Sequence, residues 1–266
     1  MPHRGPGDAG SPLATLAIVV PAYNEANRLD GSAFAAHLHA NPTHRLVFVD
    51  DASTDDTRGV VRDLMLDMPE RIELVESETN SGKAEAVRTG VQHVLASDDR
   101  PTAIAYWDAD LAAPLSAATV MARVIAEQPE IDLVLASRVR LLGRDITRRP
   151  SRHYIGRVFA TGASLALALP VYDTQCGAKL FRTDSLVADA FAEPFRSRWA
   201  FDVEMIARYL AALSQAGIHG ERRILEYPLV SWADVSGSKV TTGSGMKAFA
   251  DLFTIGRWLR KHRQPV

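Results

Sequence analysis

A single cysteine, Cys176, stands among 266 residues, so no disulfide can close within the chain, and the composition fits a reducing compartment. No run of about 18 apolar residues occurs, so no segment reads as a membrane-spanning helix. Neither charge dominates. The 30 Lys and Arg against 32 Asp and Glu leave a formal net charge of −2, and no whole-molecule field favours nucleic acid as a partner. No internal repeat is visible. The opening MPHRGPGDAGSPLAT lacks the apolar stretch of a signal peptide; rich in Gly and Pro, residues 1–15 read as disordered. These absences describe a cytoplasmic chain without a transmembrane segment, soluble or peripheral on the cytoplasmic face of a membrane.

What is present is ordinary globular material, 47% hydrophobic and 23% charged, enough for one large α/β domain or two small ones. Short apolar runs at 16–20, 45–49, 71–76, 102–107 and 131–137 alternate with segments of helical pattern at 26–40, 54–68, 82–97 and 115–128. Such alternation predicts βαβ units and a mostly parallel central sheet flanked by helices. In sheets of that kind ligands bind beyond the carboxyl ends of the strands. The residues just past the strands are PAYNE (21–25), DDASTDDT (50–57), NSGKAEA (80–86), DADLAAP (108–114) and SRVR (137–140). Every one of these loops carries polar or charged groups.

Pro21 is expected to stop the first strand's ladder, and Tyr23 offers a flat face to a base or ribose. Glu25 reads either as an acceptor for ribose hydroxyls or as a helix N-terminal acid complementing the dipole. Ser53, Thr54 or Asp55 is expected to cap the second helix. Gly82 lets the backbone approach a ligand, and Lys83 sets a cation near a helix N-terminus, where phosphate is welcome; a plain surface lysine is the other reading. NSGKAEA is not a Walker A loop, having neither the upstream glycine nor the following Ser/Thr. Asp108 and Asp110 set two like charges one residue apart at a strand end. Alternate residues of a strand face opposite ways, so sharing one ion needs a turn there. Something must offset their repulsion: an N-cap role, a basic neighbour or a divalent cation.

The second half is less regular. Residues 137–157 hold seven arginines (138, 140, 144, 148, 149, 152 and 157) and one acid, a basic stretch suited to an anionic substrate or simply to solvent. Arg138, directly after the fifth strand, is placed to clamp phosphate bidentately. A mostly apolar helix is expected at 158–169, a turn and short strand at 173–181, a helix at 198–213, a strand at 222–230 and a loop at 231–245. The tail from 246 reads as an amphipathic helix, with Met246, Phe249, Leu252, Phe253, Gly256 and Leu259 in one stripe and Arg257, Arg260, Lys261 and Arg263 at its end. Such a helix suits a bilayer interface with anionic lipid, or core docking with a basic C-terminus.

The motifs VVPAYNE, VDDASTDDT and DAD, joined by the more discriminating DTQCGAKLF, RWAFDVEM and WADVSGSKV, carry a resemblance. From about residue 16 to 258 the chain resembles the family 2 glycosyltransferases, whose GT-A fold is a Rossmann-like sheet that binds a sugar nucleotide. Within them it is most similar to the dolichyl- and polyprenyl-phosphate glucosyl- and mannosyltransferases. The resemblance implies a GT-A domain over 16–243, with a nucleotide-binding half about 16–137 and an acceptor-binding half about 138–243, followed by the helix 244–266. It implies inverting transfer of a hexose, glucose in the first instance, from a nucleoside diphosphate sugar (UDP-glucose favoured, GDP-mannose the alternative) to a polyprenyl or dolichyl phosphate. It makes Asp108 and Asp110 the DxD motif holding Mg²⁺ or Mn²⁺, and Asp51 the acceptor of a base N–H.

The same resemblance sets Asp173 near the acceptor or donor sugar, where it orients groups if the acceptor is a phosphate. If the acceptor is a hydroxyl, Asp173 or Asp202 becomes the base. Gln175 and Lys179 are expected to reach sugar hydroxyls and phosphate, and Trp199 to stack on the hexose with Asp202 binding its hydroxyls. Glu204 reads as a sugar-binding or a helix-surface acid, and Cys176 as a small buried residue. Trp232, Ser238 and Lys239 match the acceptor-side segment. Two departures stand out: Ala112 where prokaryotic mannosyl relatives often carry Gln, and Ala178 where glucosyl relatives commonly carry Phe. A soluble hydroxyl-bearing acceptor is the alternative reading; a nucleotidyltransferase is another, although PAYNEANR sits where its Gly-rich loop belongs. The oligomeric state is not readable.

Overall fold

A computed structural model describes residues 15–147, 150–233 and 242–263. Four βα steps open the chain: β1 (Leu16–Ala22), α1 (Gly31–Ala40), β2 (His44–Asp50), α2 (Thr57–Asp67), β3 (Ile72–Glu76), α3 (Lys83–Ala96), β4 (Ala103–Trp107) and α4 (Ser116–Glu127). After β5 (Leu133–Ser137) come β6 (Asp145–Thr147), α5 (Pro150–Leu167), β7 (Ala178–Arg182), α6 (Ser185–Phe191) and α7 (Phe201–Gln215). The described chain closes with β8 (Ile224–Pro228), β9 (Ser231–Ala233) and α8 (Thr242–His262).

Seven strands form one sheet in the order β3-β2-β1-β4-β7-β5-β8. All pairs are parallel except those of β7, which runs antiparallel between β4 and β5. Strands buried on both faces need apolar residues at every position, not at alternate ones. Leu16, Ile18, Val20, Leu46, Phe48, Ala105 and Trp107 meet Phe34, Leu38, Val61, Met121 and Ile125 of α1, α2 and α4. The alternate residues Ala17, Val19, Val47, Val49, Ile104 and Tyr106 meet α3, α5, α6, α7 and α8.

Several expectations shift. β1 continues through Pro21 to Ala22 on its β2 side, while its pairing with β4 ends at Val19. The missing N–H of Pro21 therefore stops only one ladder. The first helix starts at Gly31, not 26, because Glu25 O accepts from Arg28 N and Leu29 N in a separate turn and Asp30 caps the helix by accepting from Ala33 N at 3.1 Å. α5 starts at Pro150, eight residues before the expected 158. Within the expected loop 231–245, Ser231–Ala233 pairs in parallel with Asp145–Thr147. Residues 1–14, 234–241 and 264–266 lie outside the described residues, as do Arg148 and Arg149.

In α8 the buried stripe is Ala248, Leu252, Ile255 and Leu259, and Gly256 lies against the backbone of Ala166. Leu252, Gly256 and Leu259 of the expected apolar stripe thus dock on the core, whereas Phe253 is 70% exposed. No described helix is long and apolar enough to cross a membrane.

Candidate active site

The carboxyl ends of β1, β2 and β4 each release the chain through a non-glycine residue in the left-handed region: Asn24 at φ 53°, Ala52 at 57° and Leu111 at 51°. Such residues persist only where the surroundings hold them, and they concentrate at functional sites. Here the holding groups are explicit. Asn24 Oδ1 accepts from Thr54 N at 2.8 Å, and Asn24 N donates to Ser53 Oγ at 3.0 Å. Asp55 accepts from Ala26 N, Thr57 N and Thr57 Oγ1. The loops after β1 and β2 are thereby zipped together; Asp56, not the expected Ser53, Thr54 or Asp55, stands at the N-cap of α2 and makes no side-chain cap bond, while Asp55 accepts from Thr57 N.

Leu111 answers the question of the paired carboxylates. Leu111 N donates to Asp108 O at 3.2 Å and Ala112 N to Asp110 Oδ1 at 3.1 Å. A turn therefore follows β4 directly, lifting both aspartates out of strand alternation. Burial and the neighbouring Asp108 raise the carboxyl pKa of Asp110, as two crowded anions require. Two cations answer that charge. Lys83 Nζ lies 2.5 Å from Asp108 Oδ1, and Arg28 feels the Asp110 charge. Burial lowers the Lys83 pKa, but Asp108, Asp202 and Asp110 outweigh it and hold the ammonium above its ordinary value.

Against this turn lies Gly177, whose amide oxygen accepts from Asp108 N at 2.9 Å. A Cβ there would stand 1.9 Å from Asp108 Oδ2. The Asp108 carboxylate occupies space that only glycine leaves open. Two hard oxygen donors, crowded enough to raise one pKa and cradled by a glycine, fit a divalent cation. Among the described residues no group of three or more His, Cys, Asp or Glu is set to hold a metal, so further ligands would come from substrate oxygens and water.

Asp51 was expected to accept from a base N–H. Its side chain is buried and accepts from Ser81 N at 2.8 Å and Gly82 N at 2.7 Å. It shapes the approach to α3, where Gly82 turns at φ 92°, a conformation natural to glycine. Glu25 likewise is spoken for: Arg28 reaches its two oxygens at 2.8 and 2.5 Å. Arg28 escaped the sequence reading, though its i,i+3 spacing from Glu25 was the available signal. Arg198 escaped it too; its guanidinium packs on Gly82 and donates to Asn80 Oδ1 at 3.2 Å. Tyr23 lies half-buried in the PAYNE loop.

Under the turn sits a buried polar knot. Lys179, with no exposed surface, donates to Tyr106 Oη at 2.7 Å, Cys176 O at 2.7 Å and Asp202 Oδ1 at 2.6 Å. Tyr106 also donates to Asp202, and burial with the Asp202 charge drives its phenol pKa well up. Lys179 was expected to reach a sugar or phosphate. With its three donors consumed by Tyr106, Cys176 and Asp202, it instead fixes Asp202 and Tyr106. Glu204 is structural: it pairs with Arg208 at 2.6 Å and accepts from Arg196 N and Ser197 N. Cys176 is buried, and burial pushes its thiol up to about 12, so it is inert.

On the other flank Asp173 and Arg138 form a bidentate pair. Arg138 Nε donates at 2.7 Å and a terminal nitrogen at 2.8 Å, with the Arg138 amide adding a third bond at 3.0 Å. Burial raises the Asp173 pKa, but the guanidinium prevails and holds the carboxyl well below the usual range. Glu226 of β8 accepts from Tyr172 N at 2.7 Å and Asp173 N at 2.8 Å, which fixes the Asp173 loop. An acid inside the expected strand 222–230 was the overlooked signal, since a half-buried carboxylate needs partners. The Arg138 guanidinium lies 5.4 Å from the Trp232 ring, and Gln175 Nε2 donates to Trp199 O at 3.3 Å. Trp199 is 36% exposed. Ser238 and Lys239 lie outside the described residues. Tyr23, Asp108, Asp110, Arg138 and Asp173 thus lie in loops at the ends of the strands, Lys83 opens α3, Trp199 precedes α7 and Trp232 lies in β9, while Asp51, Lys179 and Asp202 are buried.

The glycosyl transferase family 2 model matches residues 17–188, well over half of the chain. The chain belongs to glycosyl transferase family 2. A dolichyl-phosphate beta-glucosyltransferase of Trichomonas vaginalis is 30% identical over 254 residues, covering 91% of this chain and 71% of that protein. The Drosophila melanogaster dolichyl-phosphate beta-glucosyltransferase is 30% identical over 269 residues, covering 94% and 76%. Among solved structures, glucosyl-3-phosphoglycerate synthase from Mycobacterium tuberculosis, in complex with Mn²⁺, UDP and glucosyl-3-phosphoglycerate, superposes with a TM-score of 0.66 at 17% identity, covering 97% of this chain and 87% of that one. The mannosyltransferase PcManGT from Pyrobaculum calidifontis, in complex with GDP-Man and Mn²⁺, gives 0.57 at 19% identity, covering 94% and 72%. The expected α/β fold of GT-A type is therefore the fold of this family 2 glycosyltransferase.

Proposed function

We propose that this family 2 glycosyltransferase moves glucose from UDP-glucose to a polyprenyl or dolichyl phosphate, with inversion at C1 and with a divalent cation, Mg²⁺ or Mn²⁺, at Asp108 and Asp110. The observation that carries the acceptor class is the Asp173–Arg138 pair. A carboxylate held well below its usual range by a bidentate guanidinium is a weak base, and Asp202 is spent on Lys179 and Tyr106. A hydroxyl acceptor needs a base to take its proton. A phosphate monoester, largely dianionic near pH 7 because its second pKa is about 6, needs none. The kinship to dolichyl-phosphate beta-glucosyltransferases over about nine tenths of the chain supports the same reading.

The residues then divide the work. Tyr23 offers a stacking face to the nucleotide, and the α3 N-terminus with Lys83 and Arg198 favours the diphosphate. Asp108 and Asp110 would hold the cation, which would supply charge neutralisation at the departing nucleotide. Trp199 packs on the hexose, and Gln175 lies beside it. Arg138, oriented by Asp173, retains N–H donors for the acceptor phosphate, since Asp173 takes two of the five. Binding both anions on one preorganised edge supplies orientation and offsets their repulsion.

The test is one matrix of labelled UDP-glucose, GDP-mannose and UDP-N-acetylglucosamine against short-chain polyprenyl phosphate and soluble acceptors such as 3-phosphoglycerate. Organic-extractable glucoside made only with the lipid phosphate supports the reading. Product made only on the soluble acceptor overturns it. Asp110→Asn is expected to lower metal-stimulated turnover at least about a hundredfold. Turnover that survives this change or chelation removes the metal from the proposal.

A further inference from the structure

Beyond the strand end that carries Arg138, the sequence runs Arg140-Leu141-Leu142-Gly143-Arg144. Arg144 N donates to Leu141 O at 3.2 Å, and Gly143 turns at φ 78°. Positive φ at the third position of a four-residue turn is the type II pattern, which glycine satisfies without strain. The turn aims its second residue straight out: Leu142 is fully exposed at 104%, with Leu141 at 47%. Its base is fixed, not loose. Asp145 N donates to Val230 O at 2.9 Å, β6 pairs with β9, and Ile146 is buried beneath. Val230, alongside, is itself 53% exposed. Arg140 and Arg144 flank the leucines and are exposed; Asp145 is the one acid within the segment.

A soluble surface gains nothing from two leucines displayed on an anchored turn between arginines. An anionic bilayer rewards both features, because the leucines enter the acyl boundary while the guanidiniums meet headgroup phosphates. We propose that the Arg140–Arg144 turn docks this protein on anionic membrane, bringing the Arg138 edge to a lipid-borne phosphate. This rests on the lipid-acceptor reading for its purpose, though not for its physics. The exposed Phe249 and Phe253 of α8, beside Val158 and Leu165 of α5, form the competing apolar surface.

Flotation with phosphatidylcholine vesicles, with and without equimolar phosphatidylglycerol, tests the docking directly. The wild-type chain is expected to float with the anionic vesicles. Leu141→Ser/Leu142→Ser should weaken that binding at least about tenfold while turnover of a short-chain, water-soluble polyprenyl phosphate stays unchanged. Arg140→Gln/Arg144→Gln should weaken binding to anionic vesicles roughly fivefold per arginine and leave binding to phosphatidylcholine alone unaltered. The proposal is overturned if the wild type does not float, or if the double leucine variant floats equally well. It is also overturned if Phe249→Ser/Phe253→Ser abolishes flotation while the leucine variant retains it, which assigns the surface to α8. Flotation that depends on the leucines in a protein glucosylating only soluble acceptors leaves the docking standing and removes the acceptor assignment.

Discussion

Adding one methyl group at position 177 probes the proposed metal edge without touching a charge. A Cβ on Gly177 would stand 1.9 Å from Asp108 Oδ2, 2.2 Å from Cγ and 2.6 Å from Oδ1. An ordinary van der Waals contact begins near 3.4 Å, so the carboxylate must retreat by roughly 1.5 Å. Residue 177 cannot yield instead, because its carbonyl is bonded to Asp108 N and Ala178 opens β7 between β4 and β5. Retreat of Asp108 takes its carboxylate out of the position in which it meets Lys83. Misplacement by about 1 Å of a group that positions reacting atoms costs on the order of a hundredfold in rate. Overpacking of this kind costs on the order of 1–3 kcal/mol in stability.

Gly177→Ala is therefore expected to fold, to melt a few degrees lower, and to lose about two orders of magnitude in metal-dependent turnover. The assay is steady-state transfer across a Mn²⁺ titration at a temperature where circular dichroism reports a native spectrum. The raised metal requirement should match that of Asp108→Ala in direction. Wild-type turnover and an unchanged metal titration in Gly177→Ala would refute the idea that Asp108 must occupy this cradle.

Two further outcomes follow from buried charge. His37 Nε2 and His44 Nδ1 face each other at 3.0 Å between α1 and β2, and burial lowers both pKa values from 6.5 to about 4, with Arg71 opposing protonation as well. Below pH 6.5 the unfolded chain binds protons that the folded chain refuses, so stability is flat above that pH. It then falls by a few kcal/mol as pH drops toward 4; urea midpoints across that window measure it, and His37→Gln/His44→Gln should flatten the slope. Lys179→Met leaves the Asp202 charge buried and unpaired and should cost about 3–5 kcal/mol. Lys179→Met/Asp202→Leu removes both charges and should recover most of that stability without recovering transfer.

Much of the fold was legible because the central strands β1, β4 and β5 are short, apolar along nearly their whole length and followed by polar loops. Strand ends at Trp107 and Ser137 fell within a residue of where AIAYW and LVLAS stop. The strand β9 was not legible, since the three residues Ser231–Ala233 carry no period and gain strand character only by pairing with β6. At the candidate site the sequence reading named Lys83, Asp108, Arg138 and Asp173, and the structure pairs Lys83 with Asp108 and Arg138 with Asp173. The sequence could not say that Arg138 and Asp173 neutralise each other, being 35 residues apart.

The residue types alone therefore determined the layered α/β arrangement and the loops that carry charge, because periodicity and turn chemistry are local properties. Which charges face solvent and which consume one another was decided only when β7 threaded back between β4 and β5. That one antiparallel strand sets Gly177 under Asp108 and buries Lys179 against Asp202. Ion pairing and close approach depend on distance through space, which no local pattern encodes.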